Sequence, residues 1–178
     1  MELLDVLNED GTPTGRSLPI SEIYENSYWH RSVHIWIIND KGELLVQKRN
    51  PEKKTFPNMW AISVAGHVRM RETSVGAAKR ELAEEVNLPV NDEDLELLFT
   101  IRRQQPYKNG ELRVIDDVYL VHANIDVDKT KLQVEELTDI KYIYYEYLET
   151  ILLQKDPTYV PYTEEHEKLF KILRERLK

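Results

Sequence analysis

The chain has 178 residues and a formal net charge of -8, with 41% apolar and 31% charged residues. This length suits one well-buried core, and the composition indicates neither disorder nor a membrane span. The acidic N-terminus lacks the basic and apolar regions of a secretory signal, which favours a cytoplasmic protein with no membrane partner. The acidic balance also argues against a nucleic acid polymer as a partner.

Cysteine is absent from the sequence, which restricts the chemistry available to it. Disulfides, thiolate nucleophiles and cysteine metal sites are excluded. Any metal must be held by Asp, Glu, His or backbone oxygen. Such ligands favour a hard cation such as Mg2+ or Mn2+.

The first predicted elements are strands. Residues 3–16 predict a hairpin that turns at Asp10 and Gly11 and returns toward Gly15. Residues 32–39 and 43–49 alternate in polarity and are rich in β-branched and aromatic residues, with a tight turn between them. We therefore expect two hairpins in the first 49 residues.

The middle of the chain predicts further strands. Residues 50–60 read as a loop interrupted by proline, and 60–66 read as one short apolar strand. Two longer strands are expected at 95–105 and 111–123, and a last strand at 140–145.

Three helices are predicted in this sequence. The first spans 73–86, with Thr73 as its N-cap and Asn87 just past its end. The others cover 146–154 and 164–178. Runs of strands with inserted helices favour an α/β or α+β sandwich.

The first of these helices is unusually acidic. At about 100° per residue, its apolar positions form one core stripe, namely Val75, Ala78, Leu82 and Val86. Three glutamates, Glu81, Glu84 and Glu85, lie together beside that stripe. Like charges at these spacings repel, and we expect Arg80 to pair with only one of them. Something else must compensate, unless the glutamates form a plain solvated face.

The helix belongs to a longer pattern that begins at Gly66. Five residues separate Gly66 from Glu72, and seven more separate Glu72 from the run RELAEEVNL at 80–88. The pattern resembles the Nudix box, G-x5-E-x7-R-E-U-x-E-E-x-G-U, where U is apolar. Asn87 stands where the family has glycine, a change that a helix end accommodates easily.

This resemblance implies a fold and an activity. The Nudix fold is a mixed β-sheet sandwiched between α-helices, here with an N-terminal hairpin. One domain would span 1–178, with a hairpin extension at 1–28, a core at 29–160 and a C-terminal helix at 161–178. Family members use a divalent metal to hydrolyse a diphosphate that is linked to another group. The chain would therefore be a pyrophosphohydrolase that uses Mg2+ or Mn2+.

The same resemblance implies the residues of a metal site. The metal ligands would be the three helix glutamates, Glu81, Glu84 and Glu85, with Gly66 in the same site. Glu72 and Arg80 would complete the catalytic set by orienting these ligands. The metal would then supply the counter-charge that the helix lacks.

Residues 1 to 145 also resemble the Nudix branch related to type I isopentenyl diphosphate isomerase. In that enzyme a cysteine before the Gly-His pair exchanges a proton with the allylic carbon. This chain has Ala65 there, which has no proton to exchange. The nearly complete acidic box and Ala65 both favour hydrolysis over isomerisation.

Histidines that bind metal in the isomerase have partial counterparts in this chain. His30 and His67 align with two of them, and Asp117 aligns approximately with a metal-binding glutamate. Ile23 or Glu22 stands near the remaining histidine position. A full isomerase metal site is therefore not expected, and each histidine alone is compatible with a structural role.

Substrate binding is expected from six residues: Arg49, Lys53, Lys54, His67, His30 and Glu136. Arg49 matches an arginine that holds diphosphate in the isomerase, and a guanidinium can bind phosphate through two donors. The paired lysines are equally consistent with a solvated basic loop. Glu136 would add a base or a ligand from its loop.

The activity expected from the sequence is cleavage of a nucleoside diphosphate derivative or a similar small organic diphosphate. Two alternatives stay open: an isomerase-like enzyme for prenyl diphosphates, and a non-catalytic module that senses a nucleotide. The last helix presents an apolar set that predicts a docking face or, as the alternative, a homodimer contact: Leu169, Phe170, Ile172, Leu173 and Leu177.

Overall fold

The N-terminal hairpin is present as predicted from the sequence. The structure, a computed structural model, describes residues 2–108 and 110–177. Strands β1 (Leu3–Leu7) and β2 (Pro13–Pro19) pair antiparallel, and the short helix α1 (Ile20–Glu25) follows. Apolar side chains of the hairpin and α1 form a small cluster of their own around Leu4 and Ile23.

A mixed sheet forms the centre of the molecule, which confirms the predicted fold class. The described part of this sheet contains β3 (His30–Ile38), β4 (Glu43–Arg49), β5 (Trp60–Ala61), β6 (Val64–His67), β7 (Glu96–Tyr107), β8 (Gly110–His122) and β9 (Leu137–Tyr144). Strands β3 and β8 run parallel, and the other pairs are antiparallel.

The segment 60–66 is two strands rather than the single strand expected. β5 pairs with β4, whereas β6 pairs with β3. Between them Ser63 is fully buried, and its hydroxyl donates to the Leu45 carbonyl and accepts from the Ile37 amide. The chain must cross from β4 to β3 at this point, which breaks the strand. The buried Ser63 hydroxyl pairs with a backbone group of each of these strands and so satisfies their hydrogen bonds at the crossing.

Helices cover both faces of the sheet. Helix α2 (Ser74–Val86) packs on one face, and α3 (Tyr145–Leu153) and α4 (Glu164–Arg176) pack on the other. On α2 the buried apolar residues are Ala77, Ala78, Leu82 and Val86, while Val75 is only half-buried, so the predicted core stripe is shifted by Ala77. No helix in the described ranges is long and apolar enough to cross a membrane.

Both predicted ends of α2 are confirmed. Thr73 accepts a hydrogen bond from the Gly76 amide at 3.0 Å, which caps the first turn. Asn87 adopts φ 53° in the left-handed region, and the Leu88 amide donates back to the Leu82 carbonyl. Asparagine tolerates this backbone better than most residues, which explains why it can replace glycine here.

The last helix uses its apolar side to dock on the sheet. Leu169, Phe170 and Leu173 are buried in the cluster shared with α3, which confirms the docking interpretation for these three residues. Ile172 is half-buried, and Leu177 is 43% exposed.

Candidate functional site

Helix α2 brings Glu81 directly over Gly66. Glu81 is 8% exposed, and a methyl group added at Gly66 would lie 2.0 Å from its Oε1 atom. A side chain at this position would displace the Glu81 carboxylate, because a real Cβ does not approach another atom so closely. Glycine at this point of β6 is therefore what allows the Glu81 carboxylate to lie against the strand.

Glu85 is the most buried carboxylate of the helix. It is 2% exposed, and Gln47 of β4 donates to its Oε2 atom at 3.2 Å. Burial raises the pKa of Glu85 well above its ordinary value, and the negative charges of Glu81 and Glu136 act in the same direction. Glu81 and Glu85 are neighbouring buried carboxylates, and this arrangement is electrostatically unfavourable for Glu85 in the protein alone.

Arg80 holds the helix to the preceding loop. Its guanidinium donates to both oxygens of Glu72 at 2.9 and 3.0 Å and to the His67 carbonyl at 3.0 Å. It also contacts Glu81 at 2.5 Å and Glu84 at 3.4 Å. The expectation that Arg80 pairs with only one of the three helix glutamates is wrong, because a guanidinium presents several donors in a fork.

The carboxylate oxygens of Glu81, Glu84 and Glu85 are the kind of ligand that a hard dication prefers. Glu84 is half exposed at the rim, while Glu81 and Glu85 are buried, so carboxylate oxygens lie both at the surface and below it. Burial raises the pKa of Glu81 as well, although the adjacent Arg80 opposes this. Within the described ranges, no three His, Asp or Glu side chains are gathered closely enough to hold an ion together. Arg80 contacts oxygens that a metal would otherwise take.

The basic loop contributes two cations near this acidic centre. Arg49 donates to the Thr55 carbonyl at 3.1 Å, and burial lowers its pKa while Glu136 and Glu85 oppose the shift. Lys53 forms an ion pair with Glu136. The structure thus brings Arg49, Lys53 and Glu136 together beside Glu85.

Lys54 differs from its neighbour. It is exposed, and no ion pair of its side chain is found in the part of the chain that the structure describes. It lies outside the group formed by the other predicted residues of this loop.

The two predicted histidines lie on the opposite face of the sheet. In the β3–β6 pairing His67 faces Ser32, whereas Gly66 faces Val33, which packs under α2. Because side chains alternate along a strand, the His67 side chain points away from the glutamates. Only its backbone carbonyl reaches their side, where Arg80 binds it.

His30 and His67 form a small aromatic group with Tyr24. The two imidazole rings are 5.7 Å apart, and the Tyr24 hydroxyl is 3.0 Å from Nε2 of His67. His30 is 1% exposed, and burial together with the nearby His67 lowers its pKa to about 4. Tyr24 is the third member of this group. Ile23, which with Glu22 stands near the remaining histidine position of the isomerase, is instead buried under the hairpin.

Asp117 does not accompany the histidines. It accepts two hydrogen bonds from Arg31 at 2.9 Å on the α2 side of the sheet. Its neighbour Asp116 points to the histidine side and accepts from Ser32 and Arg103. Asp117 therefore faces away from the two histidines, whereas Asp116, one residue earlier on the strand, faces them.

Sequence reasoning missed Gln47, which contacts Glu85, and Asp116, which lies with the histidines on the other face of the sheet. Alternation along 43–49 places Gln47 on the same side as Arg49, so this polar residue in an apolar strand was the available signal. Asp116 could not be assigned, because its face depends on the parallel pairing of β3 with β8.

Comparisons with known proteins identify the family of this chain. A model of the NUDIX domain matches residues 28–165. Nudix hydrolase 3 of Arabidopsis thaliana is 37% identical over 98% of this chain, which spans 24% of the plant protein. A Listeria monocytogenes protein named as an uncharacterized Nudix hydrolase is 31% identical over 91% of this chain and 90% of its own length.

Two further similarities concern the branch and the fold. An isopentenyl-diphosphate delta-isomerase of Gibberella zeae is 32% identical over 80% of this chain and 63% of its own length. A crystal structure of a Deinococcus radiodurans protein superposes with a TM-score of 0.67 at 22% identity and covers 98% of both chains, which supports the fold. The chain therefore belongs to the Nudix hydrolase family, in the branch that resembles isopentenyl diphosphate isomerase.

Proposed function

We propose that this chain hydrolyses the diphosphate linkage of a nucleoside diphosphate derivative or a similar small organic diphosphate. Mg2+ or Mn2+ would be held by Glu81, Glu84 and Glu85 beside Gly66. The observation that carries the proposal is the burial of Glu81 and Glu85 side by side with incomplete counter-charge. A protein tolerates such an arrangement at a site that binds a cation.

The reaction requires charge neutralisation and a proton acceptor. When bound, the cation supplies positive charge that stabilises the charge developing on the phosphate oxygens. Water attacks one phosphorus, the bond from that phosphorus to the bridging oxygen breaks, and a glutamate accepts the proton from water. Arg80 and Glu72 keep α2 and its loop in register, so the carboxylates are positioned before the substrate arrives.

Substrate contacts are proposed from the basic loop. Arg49 and Lys53 lie beside Glu85 and Glu136 and would supply positive charge to a bound diphosphate. Phosphate is a natural ligand for both side chains, since one is a planar fork of donors and the other a compact charge. Lys54, His30 and His67 stay predictions for substrate binding, and the carbonyl of His67 supports a positioning role.

The proposal is tested by metal-dependent phosphate release across a panel of diphosphate compounds. Glu85→Gln should lower turnover of the best substrate by about 10²-fold or more, because a principal electrostatic stabiliser is lost. Glu175→Gln, on the exposed face of α4, is the matched control and should behave like the parent. Unchanged turnover in Glu85→Gln would show that the box is not the active site. A parent that hydrolyses no diphosphate would favour the sensing module.

The isomerase alternative is tested at Ala65. This residue pairs with His34 in β3 and carries only a methyl group where the isomerase has its thiol. We expect no interconversion of isopentenyl and dimethylallyl diphosphate, because no group there can exchange a proton with carbon. Incubation with isopentenyl diphosphate and Mg2+ in deuterated water, followed by NMR, measures this. Incorporation of deuterium at a carbon of the prenyl group at an enzyme-dependent rate would overturn the choice of hydrolysis. The variant Ala65→Cys, which restores a thiol at this position, would not alter that conclusion if it changed nothing.

A further inference from the structure

The N-terminal hairpin holds the loop between Gly66 and the start of α2. The Met70 amide donates to the Leu3 carbonyl at 2.8 Å, and Leu4 bridges to Arg69. The Arg71 amide donates to the Asp5 carboxylate at 3.0 Å. Arg71 itself has φ 63°, an uncommon backbone for a non-glycine residue, and this contact supports it. The hairpin therefore fixes the course of this loop.

Arg69 connects the hairpin to the rim of the acidic site. Its Nε atom lies 3.3 Å from the Glu2 carboxylate, and one terminal nitrogen lies 3.6 Å from the Glu84 carboxylate. The Arg69 side chain is 46% exposed, so the guanidinium faces solvent between these two partners. One arginine thus spans from β1 to the outermost of the three helix glutamates.

Glu2 is a firm partner for this arginine. It also lies 3.6 Å from Nδ1 of His67. The contact with His67, followed by that with Arg69, lowers the pKa of Glu2 to about 2, although burial opposes the shift. Glu2 therefore holds the Nε side of Arg69.

The contact with Glu84 is the weaker of the two. At 3.6 Å between half-exposed side chains, such a pair is screened by solvent and contributes little to stability. A dication on Glu84 would displace it. The Nη2 atom of Arg69 would then be released at the edge of the acidic site, while Nε stays with Glu2.

Resting on the function proposed above, we propose that Arg69 binds phosphate oxygens of the substrate diphosphate after the metal has taken Glu84. Glu2 is the positioning residue that keeps Arg69 at the rim during this exchange. A guanidinium whose terminal nitrogens are released beside a metal-bound diphosphate has the donors that phosphate oxygens require. In the protein alone the same group balances part of the charge of Glu84.

Two binding measurements test this exchange without turnover. Mn2+ alone is titrated by electron paramagnetic resonance, and methylenediphosphonate, a non-hydrolysable diphosphate, is titrated by calorimetry in the presence of Mn2+. Arg69→Gln should bind Mn2+ as tightly as the parent or more tightly, because a competing cation is removed. Its affinity for methylenediphosphonate should fall about tenfold, because charge-assisted hydrogen bonds to phosphate are lost.

Three further variants sharpen the comparison. Arg69→Lys should recover part of the diphosphonate affinity, since it restores charge without the fork. Glu2→Gln should weaken diphosphonate binding less than Arg69→Gln does. Arg71→Gln removes the same charge two residues away in the same loop, and it should bind both ligands like the parent.

Opposite results would overturn the inference. If Arg69→Gln bound methylenediphosphonate as tightly as Arg71→Gln does, a contact between Arg69 and phosphate would be excluded. A parallel fall in Mn2+ and diphosphonate affinity would show that Arg69 only supports the loop, and no effect of Glu2→Gln would remove its positioning role. The proposed function is refuted by a different result, namely a parent protein that releases no phosphate from any of the diphosphates tested.

Discussion

Glu84 and Glu85 are adjacent on α2 and yet differ strongly in environment. Glu84 is half exposed and contacts both Arg80 and Arg69. Glu85 is 2% exposed and accepts one hydrogen bond, from the side-chain amide of Gln47. Burial raises the pKa of Glu85, so its charged form is costly in the protein alone. A bound dication would reverse that cost, and this difference makes Glu85 rather than Glu84 the more informative substitution.

Gly66→Ala tests the close approach of β6 to Glu81. The added methyl would lie 2.0 Å from Glu81 Oε1, so the carboxylate must move away from the strand. We expect metal-dependent turnover to fall at least about tenfold, because misplacing a ligand by one ångström has effects of this size or larger. Gly76→Ala is the control, since its methyl would meet Thr73 Oγ1 at 3.1 Å, at the other end of the helix. Equal turnover in both variants would contradict the interpretation of Gly66.

At the scale of elements, local signals could be predicted and long-range pairing could not. The ends of α2 were readable because Thr73 and Asn87 act through their own backbone neighbourhood. The break at Ser63 was not, since its hydroxyl serves two strands that are distant in sequence. The faces of His67 and Asp116 depend on pairing with β3, and a shift of one residue reverses a face.

Metal binding by α2 should appear as a change in thermal stability. A ligand that binds only the folded chain raises the melting temperature by mass action. We expect Mg2+ or Mn2+ to stabilise the parent, and the triple variant Glu81→Gln, Glu84→Gln, Glu85→Gln to lose this response. Without metal the triple variant should be at least as stable as the parent, because like charges are removed from a partly buried cluster. An equal metal response in both proteins would argue against the site.

At the scale of the whole molecule, a buried polar network joins the sheet to α4. His34 of β3 lies 2.6 Å from Glu165 of α4, and Trp36 donates to the other oxygen of Glu165 at 2.8 Å. His34 also lies 3.6 Å from Asp116 of β8, which pairs with Arg103. Among the described residues, no buried side-chain nitrogen or oxygen is left without a partner. The C-terminal helix is thus held by ionic contacts as well as by its apolar face.

This network predicts how stability depends on pH. Burial alone would raise the pKa of Asp116, but His34 and Arg103 outweigh it and hold the pKa at about 2, below the ordinary 3.8. A carboxyl with a lowered folded pKa stabilises the protein above its unfolded pKa and loses that contribution as pH falls. Asp116 should therefore contribute about 2 kcal/mol that disappears between pH 5 and pH 2.

Urea unfolding of the parent and of Asp116→Asn across this range measures that contribution. The variant is expected to be less stable at pH 5, because Arg103 and His34 lose a charged partner in a buried setting. Its free energy of unfolding should nevertheless fall about 2 kcal/mol less than that of the parent between pH 5 and pH 2, because the titrating group is gone. Asp128→Asn, an exposed carboxylate, is the control and should keep the parent's slope. Parallel slopes for the parent and Asp116→Asn would show that Asp116 does not link the sheet to acid stability.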